Sequence, residues 1–173
     1  MPKENDDAHD AMSDLAIQMR GIFIHHFALI EDLFHVVITK YFCSDKTKQF
    51  ELSHRVMATK MISFENKQAI LGFIFTKAPK DFKDKYPDVM KRIANLQILR
   101  NTFAHWTINH GSEILDNYDG KTVEFIEFKT ERQEAKMHRI KIDFPNFYQA
   151  VEDIKYVGVI LLEWDKILDG DTH

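Results

Sequence analysis

Residues 100 to 105 read R-N-T-F-A-H and place a guanidinium, an amide and an imidazole at the end of a helical pattern. These groups suit work on an anion and a proton. Arg100 can hold an anionic oxygen pair bidentately. His105 can give or take a proton near neutral pH, and Asn101 can orient either. Read at about 100° per residue, Val89, Ile93, Leu96 and Phe103 form one stripe, and Arg100 interrupts it. Arg is rarely buried without a partner, so its place in an apolar stripe calls for a cause. A second row runs Met90, Ala94, Ile98, and ends in Asn101 and His105. Two apolar rows that end in polar residues at one end describe a candidate site. An Arg or His in a last helical turn also satisfies carbonyls and the helix dipole, which is the plainer reading.

The elements that must hold this hexapeptide are mainly helical. From about Asp7 to Tyr41, apolar residues recur at Leu15, Met19, Ile22, Leu29, Leu33, Val36 and Val37, with His26 in the same stripe. Residues 46 to 60 form a more polar helix. Phe64 to Phe75 form a third, with Ser63 as N-cap and Glu65 in the first turn. Pro79 closes that region, and Pro87 opens the motif helix, which runs to about 105. Beyond Gly111 the pattern alternates: Thr122 to Lys129 and Lys136 to Asp143 read as strands, and Asn117 to Gly120 as a turn. This predicts an antiparallel hairpin within about 113–143, with a third strand at Glu113 to Asp116. Pro145 opens a last helix to about Leu168, with Phe147, Val151, Ile154, Tyr156, Ile160, Leu161, Trp164 and Ile167 on its buried face. The expectation is a mainly α helical bundle with a small antiparallel β-hairpin inserted before the last long helix. It forms one domain over 7–168, between a flexible acidic arm (1–6) and a flexible C-terminus (169–173).

The 173 residues suffice for one core, and the single Cys43 excludes an internal disulfide framework and fits a reducing compartment. The apolar runs Ala69 to Phe75 and Val157 to Leu162 are too short to span a bilayer, and no signal peptide is read at the start, so a cytoplasmic protein without membrane partners is expected. The net charge is −4, yet Lys77, Lys80, Lys83, Lys85, Lys91, Arg92 and Arg100 outnumber the nearby acids. Such a run can steer a polyanion toward a cleft, though it more often forms a solvated face.

The hexapeptide and the order of elements resemble the HEPN superfamily, helical bundles marked by Arg, a polar residue, a few more residues and then His. Here Arg100, Asn101 and His105 match, with four residues between Arg and His. The resemblance covers the architecture of residues 7–168 but only the hexapeptide in specific residues. It implies metal-independent RNA cleavage in the catalytic members, no cofactor, a homodimer, and a role as a prokaryotic toxin, a defence factor or an RNA-processing protein. Several clans pair with an antitoxin or a nucleotidyltransferase. The clan that pairs with small nucleotidyltransferases continues His-x-Tyr; Thr107 stands at that Tyr position, so the acceptor is absent.

Arg100 and His105 lie about 140° apart on an ideal helix, and a two-fold dimer would face two copies of the motif across one cleft. The ribose 2′-OH would attack the adjacent phosphorus, with His105 as acid or base, Arg100 on the phosphate and Asn101 in support. Glu31 and Asp32 flank the first helix's apolar stripe as possible ion-pair partners of Arg100. Asp32-x-x-His35 and Glu51-x-x-His54 have a spacing used in di-metal bundles. His35, however, is about 180° from His26 and therefore predicted to face away from the core, so no metal site is expected. Cys43 falls in an interhelical turn without a partner that would make it a catalytic thiol. The alternative function is a non-catalytic HEPN-like regulatory module that binds RNA, a nucleotide or a partner protein.

Overall fold

The computed structural model describes residues 2–59, 62–131 and 134–170, and the side chains of 6–59, 62–129 and 136–170. In chain order the elements are α1 (Pro2–Phe42), α2 (Lys46–Leu52), a π-helical turn (Ser53–Met57), α3 (Phe64–Lys77), α4 (Lys80–Lys85) and α5 (Val89–His105). There follow β1 (Thr107–Ile108), α6 (Ser112–Asp116), β2 (Thr122–Glu131), β3 (Glu134–Asp143) and α7 (Phe144–Gly170). The fold is mainly α, with a three-stranded antiparallel sheet ahead of the last long helix. The chain divides into two compact units. The first takes residues 1–25 and 98–152, and the second takes 26–97 and 153–173.

The first unit contains the motif. The sheet order is β1-β2-β3, and the β2–β3 register runs from Thr122↔Asp143 to Glu131↔Glu134. The expected hairpin is present, but its third strand is Thr107–Ile108 and not Glu113–Asp116. Those latter residues form α6, whose Ile114 and Leu115 amides donate to the Gly111 carbonyl. Four residues cannot distinguish alternation from one helical turn, and two-residue β1 is too short to show a period at all. Gly120 has φ +73°, beyond the ordinary reach of a side-chain-bearing residue, and Asp119 Oδ1 accepts from the Lys121 and Thr122 amides at 2.8 Å each. That turn delivers the chain into β2, where Val123 and Phe125 are buried. On α1, Met12, Leu15, Ala16, Met19 and Phe23 are buried. The rings of Phe23, Phe125 and Phe147 lie 4.8, 5.4 and 6.2 Å from that of Phe103.

The second unit packs the remainder of α1 with α3, α4, the first half of α5 and the last part of α7. Phe64 stacks between Phe27 and Phe34, at 4.8 and 5.2 Å. Trp164 lies against Phe75 and Phe82, at 5.6 and 5.5 Å. Ser63 caps α3 as expected, its Oγ accepting from the Asn66 amide at 3.3 Å. α4, which no local pattern predicts, is anchored by buried Phe82. On α7, Tyr156 is exposed and Ile167 half-buried, so neither lies on the buried face expected for it.

The face of α1 differs from expectation. Ile22 and Leu29 are exposed, and Leu33 and Val36 are only half-buried; the buried row is Leu15, Met19, Phe23, Phe27, Ile30, Phe34 and Val37. The two rows part after Met19 by one residue, about 100° around the helix, and both are apolar. Burying three phenylalanines removes more apolar surface from water, which decides the choice. α1 also begins at Pro2, so residues 2–6 continue the helix where an arm was expected. Residues 171–173 of the expected C-terminal tail lie outside the described residues. By length and composition α1 is apolar enough to cross a membrane, but its apolar residues supply core to both units, as those of a core helix do.

Phe103 is 2% exposed at the centre of the first unit's aromatic cluster. Phe103→Ala is expected to lower unfolding free energy by about 3–5 kcal/mol in urea denaturation; a loss under about 1 kcal/mol would contradict the packing described.

Candidate functional site at the carboxyl end of α5

Helix α5 keeps its predicted stripe: Val89, Ile93, Leu96 and Phe103 are buried. Arg100 lies in that stripe and is half-buried, while His105, in the final turn, is exposed. Arg100 Nη1 donates to Asn101 Oδ1 at 3.2 Å. Among the described residues no carboxylate pairs with Arg100, and the His105 ring makes no hydrogen bond or ion pair. The second row is not core. Ile98 is 62% exposed, and Met90 and Ala94 are half-buried, so Asn101 and His105 continue a largely solvent-facing row.

Three local features hold the end of the helix. Thr102 is buried, and its hydroxyl donates to the Ile98 carbonyl at 3.1 Å. The Trp106 amide donates to the Thr102 carbonyl at 3.0 Å, which completes the last helical turn around His105. β1 then pairs at once with β2, Thr107 opposite Ile126 and Ile108 opposite Phe125. The Asn109 amide donates to the Glu124 carbonyl at 2.8 Å, and the Asn109 side chain to Glu124 Oε1 at 2.6 Å. His105 therefore occupies a helix-to-strand junction with no free joint on either side.

A fourth feature has no local sequence signal. Arg20 of α1, 86 residues from Trp106 in sequence, donates through Nη2 to the Trp106 carbonyl, and its guanidinium lies 5.1 Å from the centre of the Phe125 ring. Its Nε is buried without a hydrogen-bond partner, and burial pushes its pKa down from the ordinary value. No carboxylate pairs with it among the described residues.

The other sequence candidates lie in the second unit. Glu31 Oε1 accepts from Lys67 Nζ at 2.6 Å, and Asp32 Oδ1 is 3.9 Å from His35 Nδ1. These contacts account for both carboxylates without Arg100. His35 is not on the solvent side as predicted: it is 6% exposed, because this stretch of α1 is covered on more than one side. Among the described residues no three His, Cys, Asp or Glu side chains gather as a metal site. Three residues of the basic run are matched by acids. Lys80 pairs with Asp84, Lys85 with Glu163 at 2.9 Å, and Arg92 with Asp88 and Asp153 at 2.7 and 2.6 Å. In the first unit a cleft of about 350 Å³ is lined by Glu113, Asn117, Asp119, Glu124 and Lys141, and by no residue of the motif. Its acidic lining repels a polyanion.

No protein-family model matches this chain. No curated protein and no solved structure is similar to it either.

Burial, and after it the Lys67 charge, lower the His35 pKa, against the opposing pull of Glu31 and Asp32 and with His54 adding to the lowering. The folded protein thus binds this proton less readily than the unfolded chain. The stability His35 contributes is present above the unfolded pKa of about 6.5 and is lost as pH falls below it. Unfolding free energies of wild type and His35→Leu, measured across pH 5 to 8, are expected to diverge on the acid side, with wild type losing more. A pH-independent difference between the two would contradict this.

Proposed function

We propose that this protein is a metal-independent endoribonuclease of the HEPN type. The observation that carries the reading is the contrast within one hexapeptide: Phe103 is locked in the core, while Arg100, which meets no carboxylate among the described residues, and exposed His105 remain available to a ligand. Buried or ion-paired Arg and His would have supported a structural role instead.

The chemistry follows from the groups. RNA carries its own nucleophile, so the protein must supply only proton transfer and charge stabilisation. His105 takes the 2′-OH proton as that oxygen attacks the adjacent phosphorus, or protonates the departing 5′ oxygen. Arg100 holds the non-bridging oxygens and stabilises the charge they gain in the transition state. Asn101 holds the guanidinium through its Oδ1, and its amide remains free to meet the phosphate. The products are a 2′,3′-cyclic phosphate and a 5′-hydroxyl, and DNA is not a substrate.

A homodimer completes the site. Arg100 and His105 are about 140° apart on the helix, and no described hydrogen bond joins them. Two copies related by a two-fold axis bring the Arg100 of one against the His105 of the other. RNA is the substrate class; an antitoxin or another regulatory protein is the partner that would restrain such an activity in a cytoplasmic prokaryotic toxin, defence or RNA-processing system.

Purified protein incubated with labelled single-stranded RNA in excess EDTA is expected to generate cyclic-phosphate ends. His105→Ala should cut about 10²–10⁴-fold more slowly with its melting temperature unchanged. Equal cutting by both proteins would contradict the role of His105. If neither cuts a range of RNAs, the non-catalytic binding module takes the place of the nuclease.

A further inference from the structure

We propose that Arg20 is a second phosphate-binding cation of the α5 site, holding an RNA backbone phosphate beside His105. The proposal rests on the reading of α5 as an RNA-cleaving site and adds a residue that the motif does not contain.

The carboxyl end of a helix is a poor place to bind a phosphate. Its last carbonyls are unsatisfied, and the aligned peptide dipoles amount to roughly half a negative charge there. An anion approaching His105 meets that field, and Arg100 is its only counterweight within the hexapeptide. Arg20 changes the balance in two ways. Its Nη2 donates to the Trp106 carbonyl, one residue beyond His105, and so offsets the partial negative charge of that oxygen. It also brings a full positive charge to the same junction, because an arginine stays protonated even when its pKa is lowered by burial.

Capping alone does not explain the side chain. A guanidinium has five N–H donors, and the one hydrogen bond described for Arg20 uses a single nitrogen. The half-buried charge stacks on Phe125 but has no carboxylate partner among the described residues. Several other cations that are at least partly buried have theirs: Lys40 pairs with Asp165 and Asp169, Lys67 with Glu31, and Arg92 with Asp88 and Asp153. An unpaired, partly desolvated charge is costly to the free protein, and an anionic ligand supplies the missing partner. The shared chemistry of Arg20 and Arg100 selects a phosphate diester over a neutral ligand.

Binding can be read without cleavage. The probe is a fluorescent 2′-O-methyl oligoribonucleotide, which lacks the attacking hydroxyl, titrated by anisotropy at several salt concentrations. Arg20→Gln retains an amide donor for the Trp106 carbonyl and removes the charge. It is expected to bind about tenfold more weakly, with a log–log salt slope smaller by about one. Arg20→Lys should retain the wild-type slope. The nitrogen–proton resonance of Arg20 in the wild type, identified by its loss in Arg20→Lys, should shift during the same titration, a readout that holds even if Arg20→Gln fails to fold. Unchanged affinity and slope in folded Arg20→Gln, an unmoved Arg20 resonance, or no binding by wild type would each overturn the proposal. Wild-type binding that depends on Arg20, together with no cutting of unmodified RNA, would remove the nuclease reading and leave the phosphate site standing.

Discussion

The arrangement at the end of α5 depends on one packed ring. Phe103 sits inside a cluster of Phe23, Phe125 and Phe147 contributed by α1, β2 and α7. Fixing that ring fixes the rotation of the helix's last turns, because a side chain in a dense aromatic core has no alternative rotamer of similar energy. Everything polar in the hexapeptide is then placed by helical geometry. Arg100 falls at the margin of the core and His105 falls in solvent. The immediate pairing of β1 with β2 extends the same constraint past the helix terminus, where fraying would otherwise begin. A rigid support for exposed groups is what proton transfer requires, since it depends on geometry held to a fraction of an ångström.

Electrostatics sort the cations of the chain by whether a carboxylate meets them. In the second unit, Lys40 of α1, Lys67 of α3, Lys85 of α4 and Arg92 of α5 each meet an acid, which offsets part of the basic run that precedes the motif. In the first unit Arg20 and Arg100 have no such partner among the described residues. A net negative protein therefore still carries two arginines that no carboxylate faces among the described residues. Exposed ion pairs contribute little to stability.

Much of this was legible in the sequence, and the exceptions have physical causes. The α5 stripe, the Ser63 cap, the hairpin and the start of α7 follow from local rules of period and capping, which act over a few residues. The face of α1 was misread because two apolar rows compete along a helix of 41 residues, and only the total area buried decides between them. His35 was expected in solvent because a single buried face was assumed, whereas this stretch of α1 is covered on more than one side. β1 has no signature of its own, since its strand character comes from the partner it meets. Arg20 was invisible for a different reason: its contact with Trp106 joins residues far apart in sequence, and no local pattern encodes it. Of the candidate site, the sequence displayed Arg100, Asn101 and His105 and hid Arg20, which holds the neighbouring Trp106 carbonyl.

The central claim is that the α5 end cleaves RNA by attack of the substrate's own 2′-OH. Its most direct test is an RNA with a single 2′-deoxy nucleotide at a position the protein cuts, compared with the all-ribose strand by mapping every cleavage site. The account predicts that cutting vanishes on the 3′ side of the deoxy nucleotide and persists at the other sites. Undiminished cutting at the deoxy nucleotide would contradict it, because the nucleophile would then have to come from water or the protein.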